Sequence, residues 1–93
     1  MKGLKYDTTK PRWDLLPYDQ LEKVVNVLTM GAVKYADDNW KDVEPYDKRY
    51  FAATMRHLTA WKKGELVDEE SGQPHLAHAI CCLLFMMWKD EEK

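Results

Sequence analysis

The residues of this 93-residue chain best suited to chemistry are three histidines, a short acidic segment and two groups that pair cations with tryptophan. His75 and His78 are three apart, which on a helix puts both imidazoles on one face. Such a pair can bind a divalent metal or donate to an anion at the positive end of a helix. The plainer alternative is that both histidines bond to the acidic segment just before them. His57 follows Arg56, and it reaches that pair only if its own helix runs antiparallel to theirs with deep overlap. Glu65 and Asp68 stand in E-x-x-D spacing and offer the oxygen ligands that Mg²⁺ or Mn²⁺ takes. Asp19 and Glu22 form a second acid pair. Both pairs also suit a solvated loop or the start of a helix, where acids are electrostatically favoured. The cation–aromatic groups are Lys10, Arg12 and Trp13, then Lys34, Tyr35, Asn39 and Trp40. Arg and Lys bind phosphate, Trp and Tyr stack on a base, and Asn offers hydrogen bonds to a base edge.

Three helices are predicted to carry these groups. Asp7-Thr8-Thr9-Lys10-Pro11 is turn chemistry, so residues 1–16 read as irregular. Pro17 suits a first turn, and Leu21, Val24, Val25, Leu28, Ala32 and Tyr35 then recur at helical spacing, predicting a helix over 17–36. Gly31 weakens that helix by ~1 kcal/mol relative to Ala, which suggests a close helix approach or room for a ligand. A second helix over 46–63 places Phe51, Met55, Leu58 and Trp61 on one face and closes at Gly64. An acidic loop spans 65–73, and Pro74 opens a third helix over 75–89 that is apolar almost all round.

The composition, 45% hydrophobic and 32% charged with a net charge of −2, describes one all-α domain over residues 1–93. It excludes an electrostatic footprint for nucleic acid. The longest apolar run, Ala79 to Trp88, falls short of the ~18 residues of a membrane span. Met1-Lys2-Gly3 leads into polar sequence, so no secretory signal is expected and the expected compartment is the cytoplasm. Cys81 and Cys82 are adjacent and read as buried hydrophobes rather than a disulfide. A chain this short has a thin core. It nonetheless carries 4 Trp, 5 Tyr, 2 Phe and 5 Met. That surplus, with one helix apolar all round, predicts a helical homo-oligomer. Phe51, Met55, Trp61, Phe85 and Trp88 read as core or interface, and Trp13 and Trp40 as ligand-facing. The two ends of the first helix, ~30 Å apart if it runs ~20 residues, would share one site only across a subunit boundary.

A resemblance covers nearly the whole chain. Its segments are Lys10-Pro11-Arg12-Trp13-Asp14-Leu15-Leu16-Pro17, Gly31-Ala32-Val33-Lys34-Tyr35, Asn39-Trp40 and Arg56-His57-Leu58. They continue with Gly64-Glu65, Asp68, Glu70-Ser71-Gly72 and His75-Leu76-Ala77-His78-Ala79. Taken in order, the set resembles the small phage and prophage domain known as the N-terminal region of dATP/dGTP diphosphohydrolases. The resemblance implies an α-helical protein, in a bacterial host's cytoplasm if phage-encoded, that handles purine deoxynucleoside triphosphates. The implied reaction is metal-dependent attack of water on the α-phosphate, giving monophosphate and pyrophosphate. In that reading Glu65, Asp68 and Glu22 hold Mg²⁺ or Mn²⁺ and orient the water. His75, His78, Lys10, Arg12 and Arg56 clamp phosphates, with His57 beside them, and Trp13 or Trp40 stacks on the base. One departure stands out: MazG-like pyrophosphohydrolases use E-x-x-E followed by E-x-x-D, which Asp19/Glu22 and Glu65/Asp68 only imitate. Two alternatives follow. One is a non-catalytic phage nucleotide-binding protein, needing no metal, that sequesters cyclic or modified nucleotide immune signals. The other is a structural or interaction module.

Overall fold

The computed structural model describes residues 3–93; Met1 and Lys2, which open the segment where no secretory signal is expected, lie outside them. The protein is all-α: α1 is Tyr18–Lys34, α2 is Tyr46–Lys62 and α3 is His75–Glu91. Short 3-10 turns precede α1 (Trp13–Leu15) and α2 (Asn39–Asp42). Each α-helix starts immediately after a proline, Pro17, Pro45 or Pro74. Proline has no N–H to leave orphaned at a helix start, and its fixed φ points the chain into the first turn. The carbonyls of Pro17, Pro45 and Pro74 accept hydrogen bonds from Leu21, Arg49 and His78. No helix among the described residues is long and apolar enough to cross a membrane.

α2 and α3 form an antiparallel hairpin. The Tyr46 hydroxyl donates to Asp90 at 2.6 Å, Tyr50 packs on Phe85 at 5.1 Å between ring centres, and His57 meets His75 and His78. The face of α2 that packs on α3 is therefore Tyr46, Tyr50, Thr54 and His57. Phe51, Met55, Leu58 and Trp61, the apolar face read from the sequence as core or interface, are not this seam, and the core half of that reading is corrected: Phe51 is 58% exposed and Met55 and Trp61 are exposed too, while Leu58 is half-buried. The reason is that each polar tip on the packed face finds a partner. The Tyr50 hydroxyl donates to the Trp40 carbonyl and the Thr54 hydroxyl to the Tyr50 carbonyl. A half-polar face can be buried once its hydrogen bonds are supplied.

α1 lies on α3 through a small cluster of Val24, Ala77 and Cys81, flanked by Val27, Leu28 and Phe85. Its far end, Lys34, reaches the loop before α3 by an ion pair to Glu70 at 2.8 Å. Cys81 and Cys82 are free and buried, as the sequence implied. Burial, with Cys82 alongside, pushes the Cys81 thiol up to about 12, so it stays protonated. The radius of gyration is 16.6 Å, against about 12 Å expected for a compact chain of this length. One flank of α3 is uncovered, with Leu76, Ile80, Leu83, Leu84 and Met87 exposed along it.

Gly31 does not mark a close helix approach: a Cβ there would meet nothing within 4 Å, and the same open space is compatible with room for a ligand. The position is an ordinary helix interior. Gly31→Ala should therefore stabilise the fold by about 1 kcal/mol, raising the melting temperature by roughly 4–8 °C. A lower melting temperature in a thermal scan would mean that the site needs the absent side chain.

Candidate functional site

α2 ends in a motif that aims the next residues back at the hairpin. Gly64 has φ +99, the Glu65 N–H bonds the Ala60 carbonyl, and the Gly64 N–H bonds the Trp61 carbonyl. This Schellman cap needs the left-handed conformation that glycine adopts without strain. The acidic segment that follows is ordered by its own hydrogen bonds. Asp68 N–H donates to the Gln73 carbonyl at 2.9 Å, Gly72 N–H to the Asp68 carbonyl at 2.7 Å, and His75 N–H to the Leu66 carbonyl at 3.0 Å. Gly72, at φ +73, makes the turn possible. The result is a folded-back loop that sets Glu65 and Asp68 against the first turn of α3.

There the histidines converge. His57 Nδ1 and His75 Nδ1 are 2.9 Å apart, and the His57 and His78 rings stack at 4.6 Å with an 8° tilt. The deep overlap of helices required from the sequence is present. His75 is buried, and its Nε2 lies 2.9 Å from Glu65 Oε2. With both rings neutral, each carries one N–H. The Glu65 carboxylate can only accept, so it takes the His75 Nε2–H, and His75 Nδ1 presents a lone pair to which His57 Nδ1–H donates. His78 Nε2 is 2.6 Å from the Ser71 hydroxyl and 3.6 Å from Asp68 Oδ2. Asp68 Oδ2 also accepts the Ser71 N–H at 3.0 Å. His57, Asp68 and His75 each bring one potential ligand atom to within 4.8 Å of the others. Two imidazoles and a carboxylate at that spacing are a donor set that fits a divalent metal.

Burial pushes His57 and His78 below the ordinary 6.5. His75 lowers both further, His78 also lowers His57, and Asp68 opposes the shift in each. Burial works against the Asp68 charge, but the Ser71 hydrogen bonds and the neighbouring His78 and His57 outweigh it, so its carboxyl lies below 3.8. Depressed histidine values mean that the folded state binds fewer protons than the unfolded chain. Their stabilisation is complete above the unfolded value and is lost as pH falls through the folded ones. In chelator, the melting temperature should therefore fall between about pH 7 and pH 5. A flat profile over that window would contradict the burial of these rings.

Of the other sequence candidates, Arg56 joins the site through a cavity. An open cleft of about 590 Å³ beside the cluster is lined by Met55, Arg56, Thr59, Ala60, Lys63 and Glu65. Arg56 and Lys63 form no ion pair there among the described residues, while Glu65 belongs to both cleft and cluster. Glu22 is not gathered in: it stands on α1 roughly 18 Å of helix back from Lys34, the residue that reaches the loop. It makes no hydrogen bond or ion pair to the cluster among the described residues. Lys34 reaches the loop by its ion pair with Glu70, and its ammonium is 5.3 Å from the Tyr35 ring centre. Tyr35, Asn39 and Lys10 are exposed and make no side-chain bond to the cluster among the described residues.

Trp40 lies away from the histidine cluster and already has aromatic neighbours. Its ring stacks on Phe85 at 4.6 Å and meets Trp88 edge-on at 5.2 Å. Phe85 lies roughly 15 Å along α3 from His75, and aromatic packing accounts for the position. Trp13 is 72% exposed over a shallow cleft of about 220 Å³ lined by Pro11, Arg12 and Leu16. Arg12 there is held by Asp14, with nitrogen–oxygen distances of 2.8 and 2.7 Å. Sequence reasoning missed Lys63 and Ser71. Lys63 sits at the helix end before Gly64, where cations are common, and Ser71 lies in the Glu70-Ser71-Gly72 segment with no role attached.

The whole chain, residues 1–93, matches the family described as dATP/dGTP diphosphohydrolase, N-terminal. It is 34% identical over 88 residues to a dATP/dGTP diphosphohydrolase of Salmonella phage PMBT28, a match that covers 95% of this chain and 30% of the phage protein. The chain thus spans about a third of that relative's length. No solved structure matches. The chain belongs to the dATP/dGTP diphosphohydrolase N-terminal family.

Proposed function

We propose that this chain binds a purine deoxynucleoside triphosphate, dATP or dGTP, and hydrolyses it to the monophosphate and pyrophosphate with a divalent metal. The observation that carries the reading is the convergence of His57, Asp68 and His75 beside a cleft bearing Arg56 and Lys63, in a chain of this family. Triphosphate is bound by the two cations, which face the cleft with no competing carboxylate except Glu65. Water attacks the α-phosphorus, a new P–O bond forms, the bond to the bridging oxygen breaks and pyrophosphate leaves. His78, held neutral by burial and positioned by Ser71, takes the proton that the water loses. A divalent ion held by His57, Asp68 and His75 would make water more acidic there and screen the phosphate charge.

The test is to incubate the pure chain with dGTP, dATP and Mn²⁺ or Mg²⁺ and to separate the products. Monophosphate and pyrophosphate are expected in equal amounts. Unaltered nucleotide recovered after denaturation favours the second reading, a non-catalytic phage nucleotide-binding protein that sequesters cyclic or modified nucleotides. That reading is supported by the position of Glu22, which leaves the cluster without a second acid pair.

On the same proposal the protein works in the cytoplasm of a bacterial host as a homo-oligomer. The exposed stripe Leu76, Ile80, Leu83, Leu84 and Met87 is the surface that a second copy would cover. Light scattering after gel filtration should give a multiple of the 11.0 kDa chain mass, and the monomer mass would remove this part of the proposal.

A further inference from the structure

We infer that the metal centre is a two-histidine, one-carboxylate site made by His57, Asp68 and His75, with Glu65 orienting His75 from outside the ligand set, and that it selects a borderline transition metal over Mg²⁺. This deepens the proposed reading of the same cluster, but it is tested on metal binding without nucleotide. It also replaces the all-oxygen set of Glu65, Asp68 and Glu22 expected from the sequence.

Four observations support the assignment. First, His57 Nδ1 and His75 Nδ1 are 2.9 Å apart. Two nitrogens bound to one ion at roughly 2.0–2.1 Å stand roughly 3 Å apart, so the rings are already nearly at ligand spacing. In the metal-free protein this contact consumes a single proton, on His57 Nδ1. Moving it to Nε2 frees a second lone pair; with the ring centres 5.1 Å apart the two lone pairs face each other, so both rings turn in place to aim at one ion. Second, the other nitrogen of His75 is committed to Glu65 at 2.9 Å. A carboxylate holding the far N–H of a metal-ligating imidazole fixes its tautomer and raises its basicity. Glu65 is thereby occupied as an acceptor, and its position on the far side of the ring suits an orienting role better than ligation.

Third, Asp68 completes the set within 4.8 Å and is fixed on the loop side by the Ser71 N–H at 3.0 Å. Three ligands leave open positions for water and substrate, as catalytic sites require. Fourth, the donors are mostly nitrogen. Imidazole suits Zn²⁺, Co²⁺ or Fe²⁺, whereas Mg²⁺ keeps oxygen ligands and water. His78 stays outside, with its Nε2 given to Ser71 at 2.6 Å.

The experiment is calorimetric titration of the chelator-stripped full chain with Co²⁺, Zn²⁺ and Mg²⁺. It is paired with nitrogen NMR of histidine-labelled wild-type protein during the Zn²⁺ titration. One ion per chain is expected, with Zn²⁺ and Co²⁺ at least tenfold tighter than Mg²⁺. The Nδ1 resonances of His57 and His75 should shift as ligands, while His78 keeps its bond to Ser71. His57→Gln should weaken Zn²⁺ binding more than 100-fold, and Glu65→Gln by about 10–100-fold, the usual cost of an outer partner. Equal affinity for Mg²⁺ and Zn²⁺, or unshifted His57 and His75 resonances at saturating Zn²⁺, overturns the assignment. The NMR arm uses the unmodified chain, so it decides even if a variant misfolds. Metal bound as described with no nucleotide turnover sinks the proposed hydrolysis and leaves the centre standing. Turnover with Mg²⁺ and no Zn²⁺ or Co²⁺ binding does the reverse.

Discussion

Asp68→Asn should reduce dGTP turnover by more than about 100-fold, a loss of about 2.7 kcal/mol in transition-state stabilisation, with far-ultraviolet circular dichroism unchanged. The fold survives because the Asn carboxamide oxygen can still accept the Ser71 N–H that Asp68 accepts at 3.0 Å. What disappears is the negative charge, and with it the carboxylate of the candidate donor set His57, Asp68 and His75. Glu65→Gln is the informative companion. Its amide oxygen can still accept from His75 Nε2, so turnover should fall less, in the 10–100-fold range typical of a group acting through a ligand. The order matters more than either number, because acid-pair chemistry of the E-x-x-D kind would make the two substitutions equivalent. An Asp68→Asn protein as active as wild type would remove the cluster from catalysis altogether. Loss of turnover with dGTP still bound is the expected pattern, because Arg56 and Lys63 remain in the cleft.

The second large effect concerns stability. Val24→Ala should cost about 2 kcal/mol, combining lost transfer free energy with the cavity left behind. For a chain of this size that lowers the melting temperature by roughly 8–16 °C. Val24 is 3% exposed and is the one fully buried residue of α1 among the described residues. It packs on Ala77 and Cys81, and its carbonyl receives the Cys81 thiol at 3.6 Å. Val33→Ala, on the same helix but exposed, is the control and should stay within about 0.5 kcal/mol. If the two variants melt alike, α1 is not docked through Val24.

The helices were legible because their ends are marked. Pro17 and Pro74 start α1 and α3, Gly64 follows α2, and the observed bounds fall within about two residues of the expected ones. The packed side of α2 was not legible, because hydrophobic periodicity weighs Phe51 and Met55 above Tyr46, Tyr50, Thr54 and His57. It cannot know that Asp90, the Trp40 carbonyl and His75 will satisfy those polar tips. The neighbours of Trp40 were hidden for a related reason: no local spacing tells that Phe85 and Trp88 lie beside it. Within the site, Glu65, Asp68 and the three histidines were all visible as residue types. Their division of labour was not, since it depends on which nitrogen of His75 meets Glu65 and which meets His57. Backbone bonds across the 65–73 loop set that geometry, and no spacing rule reports them.

The converging groups all come from one uninterrupted stretch, the α2–loop–α3 hairpin, with α1 adding only the outer Lys34–Glu70 pair. In folding terms the site is of low contact order: His57 and His78 are close along the chain, so closing the loop that joins them costs little entropy. The hairpin is then expected to form early, and α1, resting on so small an apolar patch, is expected to open first. Amides of α1 should exchange with solvent through a partial opening, while those of α2 and α3 wait for global unfolding. Loss of α1, a third of the helix, should then leave the histidines and carboxylates of the hairpin together.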